Sequence, residues 1–208
     1  YLECESTVAS ATQAGLSVPQ YVAGLWNERG VVELFVEYLS NLIPIASCSR
    51  ILEIGAGTGR FAEQIIAKAS SLTVYSVYEP DPDWSEYLAR TYGVEILQSD
   101  GKSLGNTSSS SQDLIMAHNV FVYLPMFIAF AYFAEMCRVC ASQGFIVFHC
   151  YRDDKADLAA VDYWLGAQKN LAGDITAGND HLFFSNERAL NWSPTTIKCP
   201  VSVVLRSI

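Results

Sequence analysis

The stretch RILEIGAGTGRF, from Arg50 to Phe61, decides the fold of this chain of 208 residues. Its apolar half, Ile51 to Ile54, predicts a short buried strand. Glycine then occupies every second position before a helix begins, at Gly55, Gly57 and Gly59. Because glycine has no Cβ, it adopts positive φ angles and lets the backbone approach a ligand that lies across the strand ends. The stretch therefore predicts a strand, a ligand-binding loop and a helix.

The spacing of the glycines indicates which kind of ligand the loop binds. A dinucleotide loop has the pattern G-x-G-x-x-G, which would require a third glycine where this chain has Arg60. Glu53, two residues before the first glycine, disfavours an anionic pyrophosphate and suits a ligand that carries an ammonium and a sulfonium group. We therefore expect a cationic ligand, and an NAD-dependent oxidoreductase is disfavoured.

Composition excludes several other classes of protein. Half of the residues are apolar, which predicts one well-buried domain at this length. The net charge is −9, and the 13 basic residues form no cluster, so a nucleic-acid partner is not expected. No run reaches the roughly 18 apolar residues that span a bilayer, and no signal peptide is visible. These features predict a cytoplasmic protein without a membrane segment.

The six cysteines are scattered along the chain, and we expect them to be reduced thiols. Cys137 and Cys140 form a C-x-x-C pair, but no second Cys/His pair stands at the spacing of a zinc finger. Both cysteines also fall in a helical pattern, which favours helix packing over metal binding.

Helical spacing of apolar residues precedes the glycine loop. One helix is predicted around Gln20 to Leu25, and a second from about Val31 to Leu42, with Leu34 and Tyr38 among the residues on its apolar side. Residues 1–18, rich in Ser, Thr and Ala, predict a loose or helical lead-in.

Acidic or polar residues follow each of the next predicted strands. The strand Thr73 to Tyr78 ends at Glu79, about 20 residues after the last glycine, where nucleotide-binding α/β folds place a carboxylate on the ribose hydroxyls. The strand Val94 to Gln98 leads into Ser99-Asp100-Gly101, and a strand over residues 113–119 ends with His118 and Asn119.

The region after the third strand is less regular. The polar run Ser103 to Gln112 predicts a surface loop and is the best candidate for disorder within the domain. A strongly apolar helix is predicted from Met126 to Ala141 with Gly144 as its cap, followed by a strand to Cys150 and a helix over Asp153 to Leu171.

Together these features resemble the class I S-adenosylmethionine (SAM) methyltransferases over roughly residues 20–171. The first motif of that family, [D/E]-x-G-x-G-x-G, is matched at every fixed position by the residues from Glu53 to Gly59. The resemblance implies an α/β, Rossmann-like, doubly wound, mostly parallel seven-stranded sheet with a reversed strand near the C-terminus. The antiparallel pair that closes such a sheet is then expected at His181 to Phe184 and Val201 to Leu205. A single domain is expected over 1–208, with residues 1–45 as a helical lead-in or lid and 46–208 as the core.

The resemblance also implies the cofactor and its contacts. SAM is expected over the glycine loop, with Glu79 on the ribose and Asp100 accepting from the adenine amino group. The expected cofactor-binding residues are Glu53, Gly55, Gly57, Gly59, Glu79, Asp100, Gly101, His118 and Asn119. Three segments look most like those of sugar or natural-product O-methyltransferases: SDGKSLG (residues 99–105), HNVFVYLP (118–125) and EMCRVCASQGFIVF (135–148).

O-methylation also needs a group that takes the proton of the acceptor hydroxyl. His118 and His149, each at the end of a predicted strand, are the candidates, because the unperturbed pKa of histidine lies near 6.5. Four aromatic residues are candidates to wall a pocket for a small, hydroxylated, largely uncharged acceptor: Tyr21, Trp26, Tyr123 and Tyr151. For Tyr21 and Trp26, a place in a lid and plain core packing are equally open.

Two further alternatives concern metal and catalysis. Asp153 and Asp154 with His149 offer metal-ligand chemistry, but acids at a helix start are usually caps, so no metal is expected. The second alternative is a regulatory or partner subunit that binds SAM or a related nucleoside without catalysis, because the motifs define the cofactor half of the site better than the acceptor half.

Overall fold

The computed structural model describes residues 2–150 and a strand at residues 201–206. Within these ranges the helices are α1 (Cys4–Gln13), α2 (Val18–Leu25), α3 (Val31–Leu42), α4 (Arg60–Lys68), α5 (Pro82–Tyr92) and α6 (Met126–Val139). The strands are β1 (Arg50–Ile54), β2 (Val74–Tyr78), β3 (Glu95–Leu97), β4 (Gln112–Ala117), β5 (Cys140–Cys150) and β6 (Val201–Arg206). Strands and helices alternate from β1 onward, as expected for an α/β fold.

The strands form one sheet in the order β3-β2-β1-β4-β5-β6. The pairs from β3 to β5 are all parallel, and β6 pairs antiparallel with β5. The strand predicted at Ile51 to Ile54 lies in the interior of the sheet, between β2 and β4. The prediction of an α/β fold with a parallel sheet is confirmed.

Part of the predicted C-terminal topology lies outside the described residues. This applies to the helix over Asp153 to Leu171 and to the strand at His181 to Phe184. The seven-stranded sheet with its closing antiparallel pair therefore stays a prediction, as does the division into a lead-in over 1–45 and a core over 46–208.

Both faces of the sheet are covered by helices. On one face, α3, α4 and α5 pack with alternate residues of the strands, including Ile51, Leu114 and Met116. On the other face, α6 packs over Leu52 and Ile115. Because successive strand residues point to opposite faces, the continuous apolar runs of β1 and β4 are what a sheet buried on both sides requires.

The two predicted N-terminal helices are present, but the buried face of α3 differs from the prediction. Leu34 and Tyr38 are 68% and 61% exposed, whereas Val32, Val36 and Leu39 are buried. The buried residues are spaced by four and three, so they form one stripe along the helix. The lead-in contains the helix α1.

The polar run from Ser103 to Gln112, the candidate for disorder, is tied to α6. The Arg138 guanidinium donates to the carbonyl oxygens of Leu104 and Thr107, each at 3.0 Å. The Glu135 carboxylate accepts from the Leu104 N–H at 3.1 Å and pairs with Arg138 at 2.7 Å. The anchors lie about 30 residues further along the chain, so local composition does not reveal them.

The prediction that Gly144 caps the helix before β5 is wrong. The helix α6 ends at Val139, β5 begins at Cys140, and Gly144 lies inside that strand. A Cβ on Gly144 would lie 2.8 Å from the Cys140 sulfur and 2.9 Å from the carbonyl oxygens of Ala141 and Gln112. Glycine is required here by close packing where the register between β4 and β5 shifts.

No helix among the described residues is long and apolar enough to cross a membrane. In the same part of the chain, no group of three or more His, Cys, Asp or Glu residues is arranged to hold a metal ion. The two cysteines of the C-x-x-C pair lie in different elements. Cys137 is an exposed residue of α6, whereas Cys140 is buried at the start of β5.

We predict that Gly144→Ala lowers the free energy of unfolding by about 1–3 kcal/mol, the usual cost of inserting a methyl group into a filled space. Two of the three crowding atoms are backbone oxygens, which cannot rotate away. Denaturant unfolding measures the change. Gly105→Ala is the matched control, because its new methyl group would meet only the Ser103 hydroxyl, at 3.4 Å. Equal stability of the two variants would contradict this account of Gly144.

Candidate functional site

The candidate site lies where the strand order reverses. The chain passes from β1 to β2 on one side and returns to β4 on the other, so the carboxyl ends of β1 and β4 flank a crevice. Ligands of open α/β sheets bind in the crevice at this position. The glycine loop leaves β1 here, and residues 118–120 leave β4 here.

The three loop glycines have different physical roles. All three have positive φ: 67° at Gly55, 51° at Gly57 and 80° at Gly59. A Cβ on Gly55 would lie 2.7 Å from Cγ2 of Val120, and a Cβ on Gly59 would strike the side chains of α5. A Cβ on Gly57 would meet nothing within 4 Å. The first and third glycines therefore allow close packing, and the second leaves the outer side of the loop open to a ligand.

Glu79, at the end of β2, is joined directly to this loop. Its Oε2 accepts from the Gly57 N–H at 2.7 Å, and its Oε1 accepts from the Asp81 N–H at 3.1 Å. A carboxylate offers about four acceptor positions, so about two remain for a ligand. The structure thus brings the predicted ribose acid and the glycine loop together.

Glu53 is fully buried beneath the loop rather than exposed in the crevice. Its carboxyl group accepts from the Tyr75 hydroxyl at 2.7 Å. Burial raises the pKa of Glu53 to about 7, the Tyr75 hydrogen bond acts in the opposite direction, and Glu79 adds repulsion. Its predicted contact with a cationic ligand stays a prediction, and the structure adds Tyr75 as a partner that the sequence did not reveal.

The loop predicted to hold adenine lies at the edge of an open cavity of about 350 Å³. Asp100 there accepts from the N–H groups of Lys102 and Ser103 and from the Ser103 hydroxyl. These bonds lower the pKa of the Asp100 carboxyl group, the largest contribution coming from the Lys102 N–H. Gly101 follows with φ of 75°. No residue of the glycine loop lines this cavity, so the structure does not join the two parts into one pocket.

The two candidate bases lie side by side at the ends of β4 and β5. The His118 and His149 rings stack at 4.5 Å between centroids with an angle of 9° between their planes. The other face of the cluster is aromatic, because Phe61 lies 4.2 Å from the His118 ring and Phe35 lies 5.7 Å from it. Since Phe61 is the second residue of α4, this packing places the histidine pair next to the glycine loop.

The two histidines differ in their electrostatics and their partners. Burial lowers the pKa of His118 to about 3, with smaller contributions from His149 and Arg60, so the ring is neutral at physiological pH. His149 is buried, and its Nδ1 lies 2.6 Å from Oδ1 of Asn119. Asn119, the first exposed residue after β4, has φ of 56°.

Arg60 is a site residue whose role the sequence did not reveal. Arg60 is the first residue of α4 and is buried. Its guanidinium lies 2.8 Å from the Glu28 carboxylate and 4.9 Å from the centre of the half-exposed Trp26 ring. Its Nε has no hydrogen-bond partner within the described ranges. Trp26 therefore lies beside the helix that leaves the glycine loop, whereas Tyr21 packs in a separate cluster with Val22 of its own helix.

The remaining predicted residues do not join this cluster in the part of the chain that the structure describes. Tyr123 is 57% exposed. The acid that opens the strand predicted over residues 113–119, Asp113, lies at the opposite end of β4, where its carboxylate accepts from Ser49 and from the Arg50 N–H. Tyr151, Asp153 and Asp154 lie outside the described residues.

Comparison with known proteins identifies the same region. Residues 51–144, slightly less than half of the chain, match the model of a family described as a methyltransferase domain. No match was found among proteins of curated function.

Two solved structures illustrate the similarity of fold. One is a protein from Galdieria sulphuraria assigned as a sarcosine dimethylglycine methyltransferase, with 17% identity over 67% of this chain and 52% of that chain and a TM-score of 0.53. The other is an O-methyltransferase family protein from Burkholderia thailandensis, with 14% identity over 79% of this chain and 50% of that chain and the same TM-score. The chain spans about half the length of the solved structures it matches.

We predict that Glu53→Gln stabilises the protein at high pH. A pKa raised from 4.5 to about 7 means that the neutral form fits the fold, so this stability is complete below pH 4.5 and is lost as the pH rises through 7. The variant should match wild type near pH 4.5 and exceed it by about 1–3 kcal/mol at pH 8. Denaturant unfolding across this range measures the difference.

A second variant tests the same account in the opposite direction. Tyr75→Phe removes the hydrogen bond that favours the charged form of Glu53, so its stability should fall more steeply with pH than that of wild type. A constant difference between wild type and Glu53→Gln at all pH values would show that Glu53 does not titrate in this way.

Proposed function

We propose that this chain, whose residues 51–144 match the model of a methyltransferase domain, transfers the methyl group of SAM to a hydroxyl group of a small acceptor. The observation that carries the proposal is the hydrogen bond from the Gly57 N–H to Glu79, on a loop whose outer side is open at Gly57. An acid with two remaining acceptor positions fits an unphosphorylated ribose, which carries two hydroxyl groups. The α/β fold with its switch point at β1 and β4 supports the same cofactor.

SAM supplies an electrophilic methyl group on a sulfonium. The protein then has two tasks, which are to hold the acceptor in line with the methyl carbon and to take the proton of its hydroxyl group. With SAM bound, the acceptor O–H bond would break as its oxygen bonds to the methyl carbon, the proton would move to an imidazole nitrogen, and the electron pair of the carbon–sulfur bond would stay with sulfur.

We assign the proton-accepting role to the pair of His118 and His149, which lies beside the glycine loop. Both residues remain catalytic candidates, and the structure gives a reason to distinguish them. A nitrogen whose conjugate acid has a pKa of about 3 is a weak base at neutral pH, which disfavours His118 as the proton acceptor. We therefore propose His149 as the base and His118 as the ring that holds it in place.

The chemistry of the acceptor is inferred from what surrounds the pair. Aromatic rings line it at Phe35 and Phe61, and the half-exposed Trp26 lies against Arg60, which precedes Phe61 in α4. The chain has a net charge of −9, which disfavours phosphate-rich acceptors. A small, hydroxylated, largely uncharged molecule such as a sugar or natural product fits these surroundings.

We predict that Glu79→Ala weakens SAM binding by about 1.5–3 kcal/mol, the range for hydrogen bonds that involve a charged group. Isothermal titration calorimetry measures the affinity. Glu86→Ala is the matched control, because it removes one negative charge from the exposed surface of α5 and should leave affinity unchanged. Unchanged affinity in Glu79→Ala would refute the ribose assignment.

We predict that Gly57→Val abolishes SAM binding while the protein stays folded, because its side chain would occupy the open side of the loop. Gly15→Val is the control for backbone strain. Gly15 has a φ of 66° and the same free space around its Cβ position, but it lies just after α1. Binding of SAM to Gly57→Val with wild-type affinity would show that the ligand does not lie against the loop.

The histidine roles are tested by turnover in a methyl-transfer screen over hydroxylated metabolites. We predict that His149→Ala lowers kcat by about 10²- to 10⁴-fold, the usual contribution of a positioned base. His118→Ala should lose only about 2- to 12-fold, which corresponds to a ring-packing energy of 0.5–1.5 kcal/mol. SAM affinity should be nearly unchanged in both variants.

Three other results of the screen would each change the proposal. A larger loss in His118→Ala would transfer the role of base to His118. Loss of SAM affinity in His118→Ala would make His118 a cofactor contact. SAM binding without transfer to any acceptor would favour the alternative of a non-catalytic subunit that binds SAM.

A further inference from the structure

The end of β4 and the end of β5 are held together by one short side-chain hydrogen bond. The two strands are parallel and in register from Leu114 with Phe145 to Ala117 with Phe148, so the next residues, His118 and His149, are neighbours on one face. Asn119 follows His118, and its Oδ1 lies 2.6 Å from Nδ1 of His149. The partners are 30 residues apart in sequence.

The backbone of Asn119 adopts a conformation that most residues avoid. Its φ of 56° lies in the left-handed region, where asparagine is tolerated better than other residues that carry a Cβ. Val120 follows immediately and packs where a Cβ on Gly55 would be, so the segment is fixed against the glycine loop on one side. On the other side it is fixed by His149.

The chemistry of the amide determines what this contact does to the imidazole. With the Asn119 amide in this orientation, its oxygen accepts a hydrogen bond and cannot donate one, so Nδ1 of His149 carries the hydrogen. In the neutral ring the lone pair that binds a proton is then on Nε2. The ring plane is fixed as well, because His118 stacks on it.

We propose that Asn119 is a positioning residue that holds His149 in the tautomer with Nδ1 protonated and so makes Nε2 the basic nitrogen of the site. This proposal rests on the proposed function. It gives Asn119, which the sequence predicts to contact the cofactor, a role in positioning the base instead. His118, just after β4, stacks on His149, and the charged groups that act on His118 are His149 and Arg60, the first residue of α4.

The tautomer is tested without cofactor or acceptor. In ¹⁵N spectra of the histidine side chains, with His149 assigned by the loss of its signals in His149→Gln, wild type should show a protonated Nδ1 at neutral pH. Asn119→Gly keeps the left-handed backbone at no steric cost and removes the amide, so His149 should shift toward the tautomer with Nε2 protonated. A wild-type ring already protonated on Nε2, or an unchanged spectrum in Asn119→Gly, would overturn the proposal.

The catalytic consequence is tested on an acceptor found in the screen. Asn119→Gly should lower kcat roughly 10- to 100-fold with the KM for SAM unchanged, as expected when one hydrogen bond to a group that becomes charged is lost. Asn119→Ala should lose as much kcat and also lose thermal stability, since alanine is strained at this φ. A raised KM for SAM with unchanged kcat would make Asn119 a cofactor contact and refute the positioning role.

Asn119→Asp tests the role through the pH profile of kcat, which would not change if Asn119 were purely structural. A carboxylate next to Nδ1 stabilises the imidazolium, so the acid limb of the kcat profile should move to higher pH by about one unit or more. An unmoved acid limb would refute the proposal. A supporting ¹⁵N spectrum combined with no turnover on any acceptor would instead leave the Asn119–His149 pair intact and count against O-methylation.

Discussion

The absence of a side chain at Gly55 is the constraint on which the arrangement of this site depends. Val120 packs into the space that a Cβ would fill, at 2.7 Å from the position of that atom, so no other residue fits without a shift of one segment. The contact joins the loop after β1 to the segment after β4, which are the two sides of the crevice. Because the segment after β4 carries His118 and Asn119, the packing at Gly55 also fixes where the polar groups of the site lie.

Burial is the largest cause of the pKa shifts of Glu53 and His118, near the contact between Gly55 and Val120. Glu53 is buried and His118 is partly buried, and neither has an ion-pair partner within the described residues. Desolvation acts in opposite directions on an acid and on an imidazole, since it raises the pKa of the first and lowers that of the second. Both shifts favour the neutral forms. Glu79, at the end of β2, accepts hydrogen bonds from two backbone N–H groups, those of Gly57 and Asp81, at the edge of the crevice.

The sequence predicted those parts of the fold that depend on local patterns. The apolar run of β1, the alternating glycines and the acid after β2 are each short and continuous, and the structure places them as expected. What it did not predict depends on packing between distant segments. Gly144 is required by the backbone of β4, Tyr75 bonds Glu53 across neighbouring strands, and Asn119 meets His149 only because two strands are in register. The loop from Ser103 has a composition typical of disorder, yet Arg138 holds it in place from a helix formed much later in the chain.

The neutral imidazole of His118 suits the proposed reaction, which begins with a positive charge on the cofactor. A cation already present at the ends of β4 and β5 would repel a sulfonium, and the low pKa of His118 keeps that ring uncharged at physiological pH. In the reaction that we propose, His149 gains one positive charge in the step in which the sulfonium charge is lost. The net charge of the site is therefore the same before and after transfer, so the reaction requires no new unpaired charge in a poorly hydrated place. Among the described residues, His118 and Asn119 both contact the His149 ring, His118 through the ring face and the Asn119 amide oxygen through Nδ1. A second titrating group at the position of His118 would compete for the same proton, which gives a physical reason for one base with a weakly basic neighbour.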